Sequence, residues 1–183
     1  MYAVFDIDDV LANTVPAWLK KYLKKYNHNL KKEDILDWDI AKYTVPECGN
    51  NIYNFLNSKT FYNSVKPIPL ALKGVNTFRE LGLEIVYATG GSPKASVYKF
   101  DWLQKNGFWQ KQDHYVQTSS KFLLRGEILI DDNYDNVAMF NKHSGYGLLY
   151  NAPWNSQCEY PNRVSGWKEI METIDRYQFE VRS

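Results

Sequence analysis

Two groups of aspartates follow apolar stretches of this 183-residue sequence. Asp6, Asp8 and Asp9 come directly after the first stretch, and Asp131 and Asp132 follow another. Carboxylates this close together cannot all be solvated cheaply, so they call for a cation, a proton or a hydrogen-bonding loop. Clustered oxygen ligands without histidine are what Mg²⁺ prefers. The pattern therefore predicts a Mg²⁺ site, and the alternative for either group alone is a turn that caps a helix.

Groups that could hold a phosphate lie elsewhere in the sequence. A metal between acidic strand ends is half of a phosphoryl-transfer site, and the remaining phosphate oxygens need donors. The hydroxyl of Thr89 and the backbone amides near Gly90 and Gly91 can supply them at the start of a helix. Lys121 precedes Asp131 and is expected near the same edge of the sheet. Alone it would be a solvated surface lysine, but within this set it is predicted to bind phosphate.

Alternating strands and helices must position these groups. Four apolar stretches have the length and composition of buried strands, and they cover residues 2–7, 83–88, 128–130 and 146–150. A weaker fifth strand is predicted at 115–118. Helical spacing is found at residues 70–81, 95–105 and 164–177. This alternation predicts a three-layer, Rossmann-like α/β fold with a parallel sheet, whose ligands bind at the carboxyl ends of the strands.

One long interval interrupts the alternation. Residues 15–26 follow helical spacing, and the next forty residues contain no convincing strand. The interval is too long for an ordinary connection. We therefore expect a core formed by residues 1–14 and 68–183, with a small helical cap formed by residues 15–67 inserted after the first strand. Residues 179–183 are expected to form a frayed or edge-packed tail.

Composition excludes several classes of protein. The 22 Lys and Arg residues nearly balance the 21 Asp and Glu residues, so the net charge of +1 does not favour an extended nucleic acid as a partner. No apolar run approaches the roughly 20 residues of a membrane span. The amino terminus has no basic start and no cleavable apolar stretch, which favours the cytoplasm. The sequence leaves the oligomeric state open, and a homodimer is one option.

The chain resembles the haloacid dehalogenase-like superfamily of phosphohydrolases. The superfamily has four ordered motifs, which are an Asp-x-Asp strand end, a Thr or Ser after the second strand, a Lys and a late acidic pair. The residues of this chain that match them are Asp6-Ile7-Asp8, Thr89, Lys121 and Asp131-Asp132. Residues 6–12, 61–69 and 121–132 also resemble the 5'(3')-deoxyribonucleotidase branch. The resemblance covers residues 2 to about 136.

The resemblance implies a role for each acidic residue. Asp6 would be the nucleophile that forms an aspartyl-phosphate. Asp8 would protonate the leaving alcohol and then activate water. Asp6, the backbone carbonyl of Asp8 and the carboxylate of Asp131 would hold Mg²⁺, and Asp132 would act on the metal through water.

The resemblance also implies the substrate contacts. Thr89 and the amide of Gly90 would bind a phosphoryl oxygen, and Lys121 would neutralise the developing charge. Lys99 resembles a second lysine that faces the phosphate, although its helix face would suit solvent equally well.

The cap would recognise the rest of the substrate. Trp38, Phe61 and Tyr62 are expected to stack on a nucleobase, and a place in the core of the cap is the alternative, most of all for Trp38. The branch usually has Gly where Asp9 stands, which puts an extra carboxylate beside the site.

These residues predict an enzyme, a phosphoric monoester hydrolase of 5'-nucleotidase type. Its substrate would be a small phosphorylated molecule, a nucleoside monophosphate, and most of all a 5'(3')-deoxyribonucleotide. The alternatives keep the chemistry but change the substrate to a sugar phosphate or a nucleic-acid 3'-phosphate. A non-catalytic phosphate-binding module is a further alternative, which the presence of every catalytic position disfavours.

Overall fold

A parallel β-sheet forms the centre of the molecule. The computed structural model describes residues 1–143 and 145–182, with side chains through residue 175 outside this gap. Six strands run in the order β3-β2-β1-β4-β5-β6, and every neighbouring pair is parallel. The strands are β1 (Tyr2–Phe5), β2 (Glu84–Thr89), β3 (His114–Gln117), β4 (Ile128–Asp131), β5 (Tyr146–Tyr150) and β6 (Arg163–Val164). The predicted α/β fold with a parallel sheet is confirmed.

Helices connect the strands. The α-helices in the described residues are α1 (Thr14–Tyr26), α2 (Lys59–Tyr62), α3 (Ala71–Glu80), α4 (Pro93–Lys105), α5 (Tyr134–Lys142) and α6 (Trp167–Arg182). Short 3₁₀ helices cover Lys32–Asp34, Ile40–Tyr43, Gly49–Asn57, Lys121–Leu123 and Pro153–Asn155. The tail predicted at residues 179–183 lies beyond the described side chains. Within the described part of the chain, no helix is long and apolar enough to cross a membrane.

The two faces of the sheet bury alternate residues of each strand. Ala3 and Phe5 of β1 lie in a large apolar cluster with side chains of α1, α3, α4 and α6, whereas Val4 lies in a second cluster with Val137 and Phe140 of α5. Successive side chains of a strand point to opposite faces, so a strand that is apolar throughout must be covered on both sides. The helices therefore form two layers with the sheet between them.

The register of the central strands brings the chemical groups together. Phe5, the last residue of β1, pairs with Tyr87 of β2 and with Ile130 of β4. The residues that follow Phe5 and Ile130 in the sequence are Asp6 and Asp131, so both carboxylates emerge at the same edge. The strand order also reverses direction at β1, which is where open α/β sheets bind their ligands.

The elements differ from the sequence prediction in three places. β1 ends at Phe5 rather than at residue 7, because the backbone turns there and the amides of Leu11 and Ala12 donate to the Ile7 carbonyl. Ile7 is buried outside the sheet, and apolar composition cannot separate the two situations. Helix α5 was not predicted, and Val164, predicted as helical, ends the two-residue strand β6.

The long interval after β1 is helical. Residues 14–62, all of which are described, contain α1, three 3₁₀ helices and α2, and no strand. Trp18 and Tyr22 of α1 are buried in the same cluster as Phe5. The division into a core and a separate cap at residues 15–67 stays a prediction.

Candidate active site

A buried lysine joins the two acidic strand ends. Lys121 Nζ lies 2.7 Å from Asp6 Oδ1 and 2.8 Å from Asp131 Oδ2, and all three side chains are buried. Burial raises the pKa of Asp6 to about 7, against the opposing effect of Lys121. The lysine itself loses solvation, but Asp131 and Asp6 more than compensate, so its pKa lies above the ordinary value. Lys121 is therefore a fixed positive charge between two carboxylates.

Asp132 adds a third carboxylate. Oxygens of Asp6, Asp131 and Asp132 all lie within 4.8 Å of one another. Trp154 Nε1 donates to Asp132 Oδ2 at 3.0 Å, whereas Asp132 Oδ1 is buried and has no hydrogen-bond partner among the residues that the structure describes. Burial raises the pKa of Asp132 well above its ordinary value, and the nearby Asp6 carboxylate adds to this. A buried set of oxygen ligands with one free oxygen suits a hard divalent cation.

Helix α5 fixes the orientation of Asp131. The backbone amide of Asn133 donates to Asp131 Oδ1 at 2.9 Å, and Asn136 Nδ2 donates to Asp131 Oδ2 at 2.8 Å. Asn133 also caps α5, because its side chain accepts from the amide of Asn136. The start of α5 thus places two donors on one carboxylate.

Asp8 has different partners from Asp6. Lys99 Nζ lies 2.5 Å from Asp8 Oδ2, and Thr14 Oγ1 donates to Asp8 Oδ1 at 2.7 Å. Lys99 also donates to Thr89 Oγ1 at 2.7 Å and to the carbonyl of Gly90 at 3.0 Å. Lys99 is buried on α4. The alternative expectation, that its helix face leaves this lysine in solvent, is therefore excluded. It lies between Asp8 and the threonine that ends β2.

The turn after β2 depends on glycine. Gly91 has a φ of +98°, a backbone conformation that residues other than glycine rarely adopt. A Cβ at this position would lie 3.8 Å from Lys99 Nζ. Ser92 then caps α4 by accepting from the amide of Ala95, and Pro93 follows at the first helical position. The chain therefore passes from Thr89 to a helix start within a few residues.

Helix α6 holds the loop that follows β1. Trp167 of α6 donates its indole N–H to the carbonyl of Val10 at 2.7 Å, and its ring packs 5.7 Å from that of Phe5. Asp9 in this loop has a φ of 52°. Glycine accepts this conformation without strain, which gives a physical reason for the glycine that the family resemblance implies at this position.

These residues surround a cavity of about 290 Å³. It brings together nine of the eleven predicted site residues, which are Asp6, Asp8, Trp38, Thr89, Gly90, Lys99, Lys121, Asp131 and Asp132. Trp38 is 48% exposed and stacks on Trp154, with ring centroids 5.6 Å apart. Its position is therefore not in a closed cap core.

The structure does not bring Phe61 and Tyr62 to this cavity. Phe61 is fully buried and meets Tyr62 edge-on at 5.0 Å, and only 3% of Tyr62 is exposed. Neither side chain lines this cavity, so the cavity lends no support to the expectation that these rings stack on a nucleobase, which stays a prediction. The apolar sequence around them is equally typical of an interior position, and their rings occupy the interior.

Sequence reasoning missed three residues that contact the predicted carboxylates. Thr14 donates to Asp8, Asn136 to Asp131 and Trp154 to Asp132. A signal existed for Trp154, because it follows β5 at the edge of the sheet where ligands bind. Nothing in the local sequence singles out Thr14 or Asn136, whose contacts depend on the way the helices begin.

Known proteins resemble this chain over most of its length. The profile of the family "5' nucleotidase, deoxy (Pyrimidine), cytosolic type C protein" matches residues 1–179. A 5'(3')-deoxyribonucleotidase of Bacillus subtilis is 29% identical over 168 residues, which cover 90% of this chain and 93% of the relative. One from Clostridium acetobutylicum is 29% identical over 165 residues, covering 90% and 89%.

Solved structures support the fold. A haloacid dehalogenase family hydrolase from Deinococcus radiodurans, with bound phosphate and sodium, gives a TM-score of 0.62 at 14% identity, covering 96% of this chain and 95% of that one. A hydrolase from Pseudomonas syringae gives 0.61 at 12% identity, covering 96% and 98%. These structures show the shared fold, and the family profile with the curated relatives confirms the resemblance to the 5'(3')-deoxyribonucleotidase branch. The chain belongs to the cytosolic type C family of deoxy 5'-nucleotidases and is a phosphoric monoester hydrolase.

Proposed function

We propose that this protein is a Mg²⁺-dependent phosphatase of deoxyribonucleoside monophosphates that works through an aspartyl-phosphate. The observation that carries the proposal is the different setting of two nearby carboxylates. Asp6 meets Lys121 beside two further carboxylates, whereas Asp8 meets Lys99 and Thr14. Groups in different environments can divide nucleophilic and acid–base roles.

The first step uses both carboxylates. An oxygen of Asp6 attacks phosphorus, and the bond from phosphorus to the leaving alcohol oxygen breaks. Asp8 gives that oxygen its proton. In the second step Asp8 takes a proton from water, the water oxygen attacks the aspartyl-phosphate, and inorganic phosphate leaves with Asp6 restored.

The carboxylates beside Asp6 suit Mg²⁺. Asp6, the backbone carbonyl of Asp8 and the carboxylate of Asp131 would hold the ion, with Asp132 acting through water. Support comes from the shared proximity of the three carboxylates and the unpartnered oxygen of Asp132. The ion would offset the negative charge of the phosphate.

The phosphate oxygens would be bound by cationic and hydroxyl groups around the cavity. Thr89 and the amide of Gly90 would bind one oxygen, with Lys121 and Lys99 supplying positive charge. Lys99 already contacts Thr89, and Lys121 contacts Asp6, so no long movement is needed to reach a phosphate between them. Preorganised charge of this kind stabilises developing negative charge in a site that excludes water.

A nucleoside monophosphate is the proposed substrate class. The family description and the names of the relatives point to deoxyribonucleotides. Trp38 lines the cavity and offers an aromatic surface to a base, in line with the sequence prediction. The cytoplasm remains the proposed location, and a homodimer stays a prediction.

A phosphate-release assay tests the proposal. The substrates are dUMP, dTMP, the corresponding ribonucleotides, sugar phosphates and 3'-phosphorylated oligonucleotides, each with Mg²⁺ and with excess chelator. We expect the deoxyribonucleotides to give the highest kcat/KM and chelation to stop turnover. Equal slow turnover of every substrate, or full activity in chelator, would contradict the proposal.

A further inference from the structure

Asp9 is a buried carboxylate that the proposed mechanism does not use. It is 3% exposed, and its backbone lies in the left-handed region. The amide of Val15 donates to Asp9 Oδ2 at 2.9 Å, and Lys32 Nζ donates to Oδ1 at 2.8 Å. Both oxygens are therefore occupied by groups of the interval that follows β1.

Lys32 lies between two parts of the molecule. It begins the 3₁₀ helix Lys32–Asp34, and its Nζ lies 5.0 Å from the ring centroid of Trp154 as well as beside Asp9. A cation at this distance from an indole is attracted to the ring. One lysine thus contacts both the loop after β1 and the 3₁₀ helix after β5.

Trp154 receives a second contact from the same stretch of chain. Trp38 stacks on it with an interplanar angle of 23°. The indole N–H of Trp154 in turn donates to Asp132 Oδ2, while Asp132 Oδ1 has no partner within the described part of the chain. The segment from Lys32 to Trp38 therefore rests on the residue that orients Asp132.

Burial decides how much the Asp9–Lys32 pair matters. The side chain of Asp9 is 2% exposed and that of Lys32 is 25% exposed, whereas the neighbouring pair of Lys42 and Asp37 is exposed at 59% and 46%. Exposed ion pairs contribute little to stability, but removing one partner of a buried pair leaves an uncompensated charge. The two pairs should therefore differ strongly in their effect.

We propose that Asp9 and Lys32 are positioning residues that seat residues 31–43 on the sheet edge and keep Trp154 in place to orient Asp132. The carboxylate of Asp9, at a position where the family resemblance implies glycine, thus has a role. These contacts precede substrate binding, so the seating of residues 31–43 does not rest on the proposed substrate, whereas the effect on Asp132 rests on the proposed Mg²⁺ site.

Hydrogen exchange of the full-length protein, measured by mass spectrometry, tests the seating. Lys32→Met removes the charge but keeps the length of the side chain, so amides in residues 31–43 should exchange about tenfold faster. Lys32→Arg should restore protection. Lys42→Met breaks the exposed pair in the same segment and should change nothing. Unchanged exchange in Lys32→Met would overturn the proposal.

A second variant removes the other partner. Asp9→Gly loses the carboxylate but relieves the left-handed backbone, so β1 and β4 should keep their protection and report an intact fold. Exchange in residues 31–43 should rise as it does in Lys32→Met, and the double variant should be no faster than either single one. Fully additive effects would overturn the pairing.

Mg²⁺ binding, measured by calorimetry without substrate, tests the link to Asp132. Trp154→Phe keeps an aromatic ring but removes the N–H, and it should weaken binding by about tenfold, as expected when a group that orients a metal ligand is lost. Lys32→Met should weaken binding in the same direction, and Lys42→Met should not. Wild-type affinity in Lys32→Met would overturn the link through Trp154.

Discussion

At the scale of single residues, the two aspartates of the first motif differ through their neighbours. Asp6 shares Lys121 with Asp131, while Asp8 is held by Lys99 and Thr14. A carboxylate that Mg²⁺ would keep ionised can attack phosphorus, and one that cycles a proton can serve the leaving group and water. Chemistry is thus assigned by contacts rather than by residue type.

Replacing the proposed acid–base group should slow turnover without removing the nucleophile. Asp8→Asn cannot exchange a proton, so kcat/KM, which reports the step in which the alcohol leaves, should fall by about 10²–10⁴. The loss should shrink for a substrate such as p-nitrophenyl phosphate, whose leaving group needs little protonation in the first step. An equal loss for a poor and a good leaving group would count against Asp8 as the acid.

Lys121 should matter for stability as well as for catalysis. Lys121→Met leaves Asp6 and Asp131 buried without their shared cation, a change that typically costs about 3–5 kcal/mol. Urea unfolding in chelator should reveal this loss, and added Mg²⁺ should recover part of it, because the ion would replace the missing charge. If Lys121→Met is as stable as the wild type in chelator, Lys121 does not stabilise the two buried carboxylates as proposed.

At the scale of elements, the packing of α3 against α6 holds the loop that carries the aspartates. Gly74 of α3 faces Trp167 of α6 so closely that a Cβ would lie 2.1 Å from Trp167 Cε3. Trp167 in turn donates to the carbonyl of Val10. The position of the loop after β1 therefore depends on a contact between two helices that are far apart in the sequence.

Gly74→Ala tests that dependence. The extra methyl group must push Trp167 away, so the free energy of unfolding should fall by about 1–3 kcal/mol, as for other overpacked interiors. Phosphatase activity should fall too, because the Val10 carbonyl loses its donor. Gly166→Ala is the matched control, since a Cβ there meets nothing within 4 Å. If both variants unfold alike, the packing argument is wrong.

The sequence predicts the elements of the sheet better than their ends. Apolar runs locate β1, β2, β4 and β5, because strands buried on both faces are apolar throughout. The same signal includes Ile7, which is buried outside the sheet, and it cannot reveal a two-residue strand such as β6.

The sequence likewise predicts the main residues of the candidate site better than their contacts. The ordered motifs name the residues that meet at one edge, since parallel strands end together. Contacts such as that of Trp154 with Asp132 depend on tertiary packing between segments far apart in the sequence, and no local pattern encodes them. The role of Phe61 is ambiguous from the sequence for a related reason, because aromatic residues suit a binding surface and an interior equally well.

At the scale of the whole molecule, near neutrality hides a strong local charge. The net charge is +1, yet three carboxylates share one buried cluster. Burial raises the pKa of Asp6 to about 7 and that of Asp9 to about 6, and it also raises that of Asp132. The metal-free protein therefore carries more protons at these groups than its unfolded chain does.

This difference predicts how stability depends on pH. Between about pH 4 and 7 the folded state binds more protons than the unfolded state, so the free energy of unfolding should fall as pH rises through this range. Thermal unfolding in chelator should therefore give a higher Tm at pH 6 than at pH 8. With saturating Mg²⁺ the difference should shrink or reverse, because the ligands must be deprotonated to bind it. A Tm in chelator that rises from pH 6 to pH 8 would contradict the raised pKa values.

The covalent role of Asp6 is tested most directly by trapping the phosphorylated protein. Acid quench during turnover of dUMP, followed by peptide mass spectrometry, should find one phosphoryl group on the peptide that contains Asp6. Asp6→Asn should keep the wild-type circular dichroism spectrum, show no phosphorylated peptide and release no phosphate. Continued phosphate release by Asp6→Asn, or a phosphoryl group on another residue, would contradict the proposed mechanism.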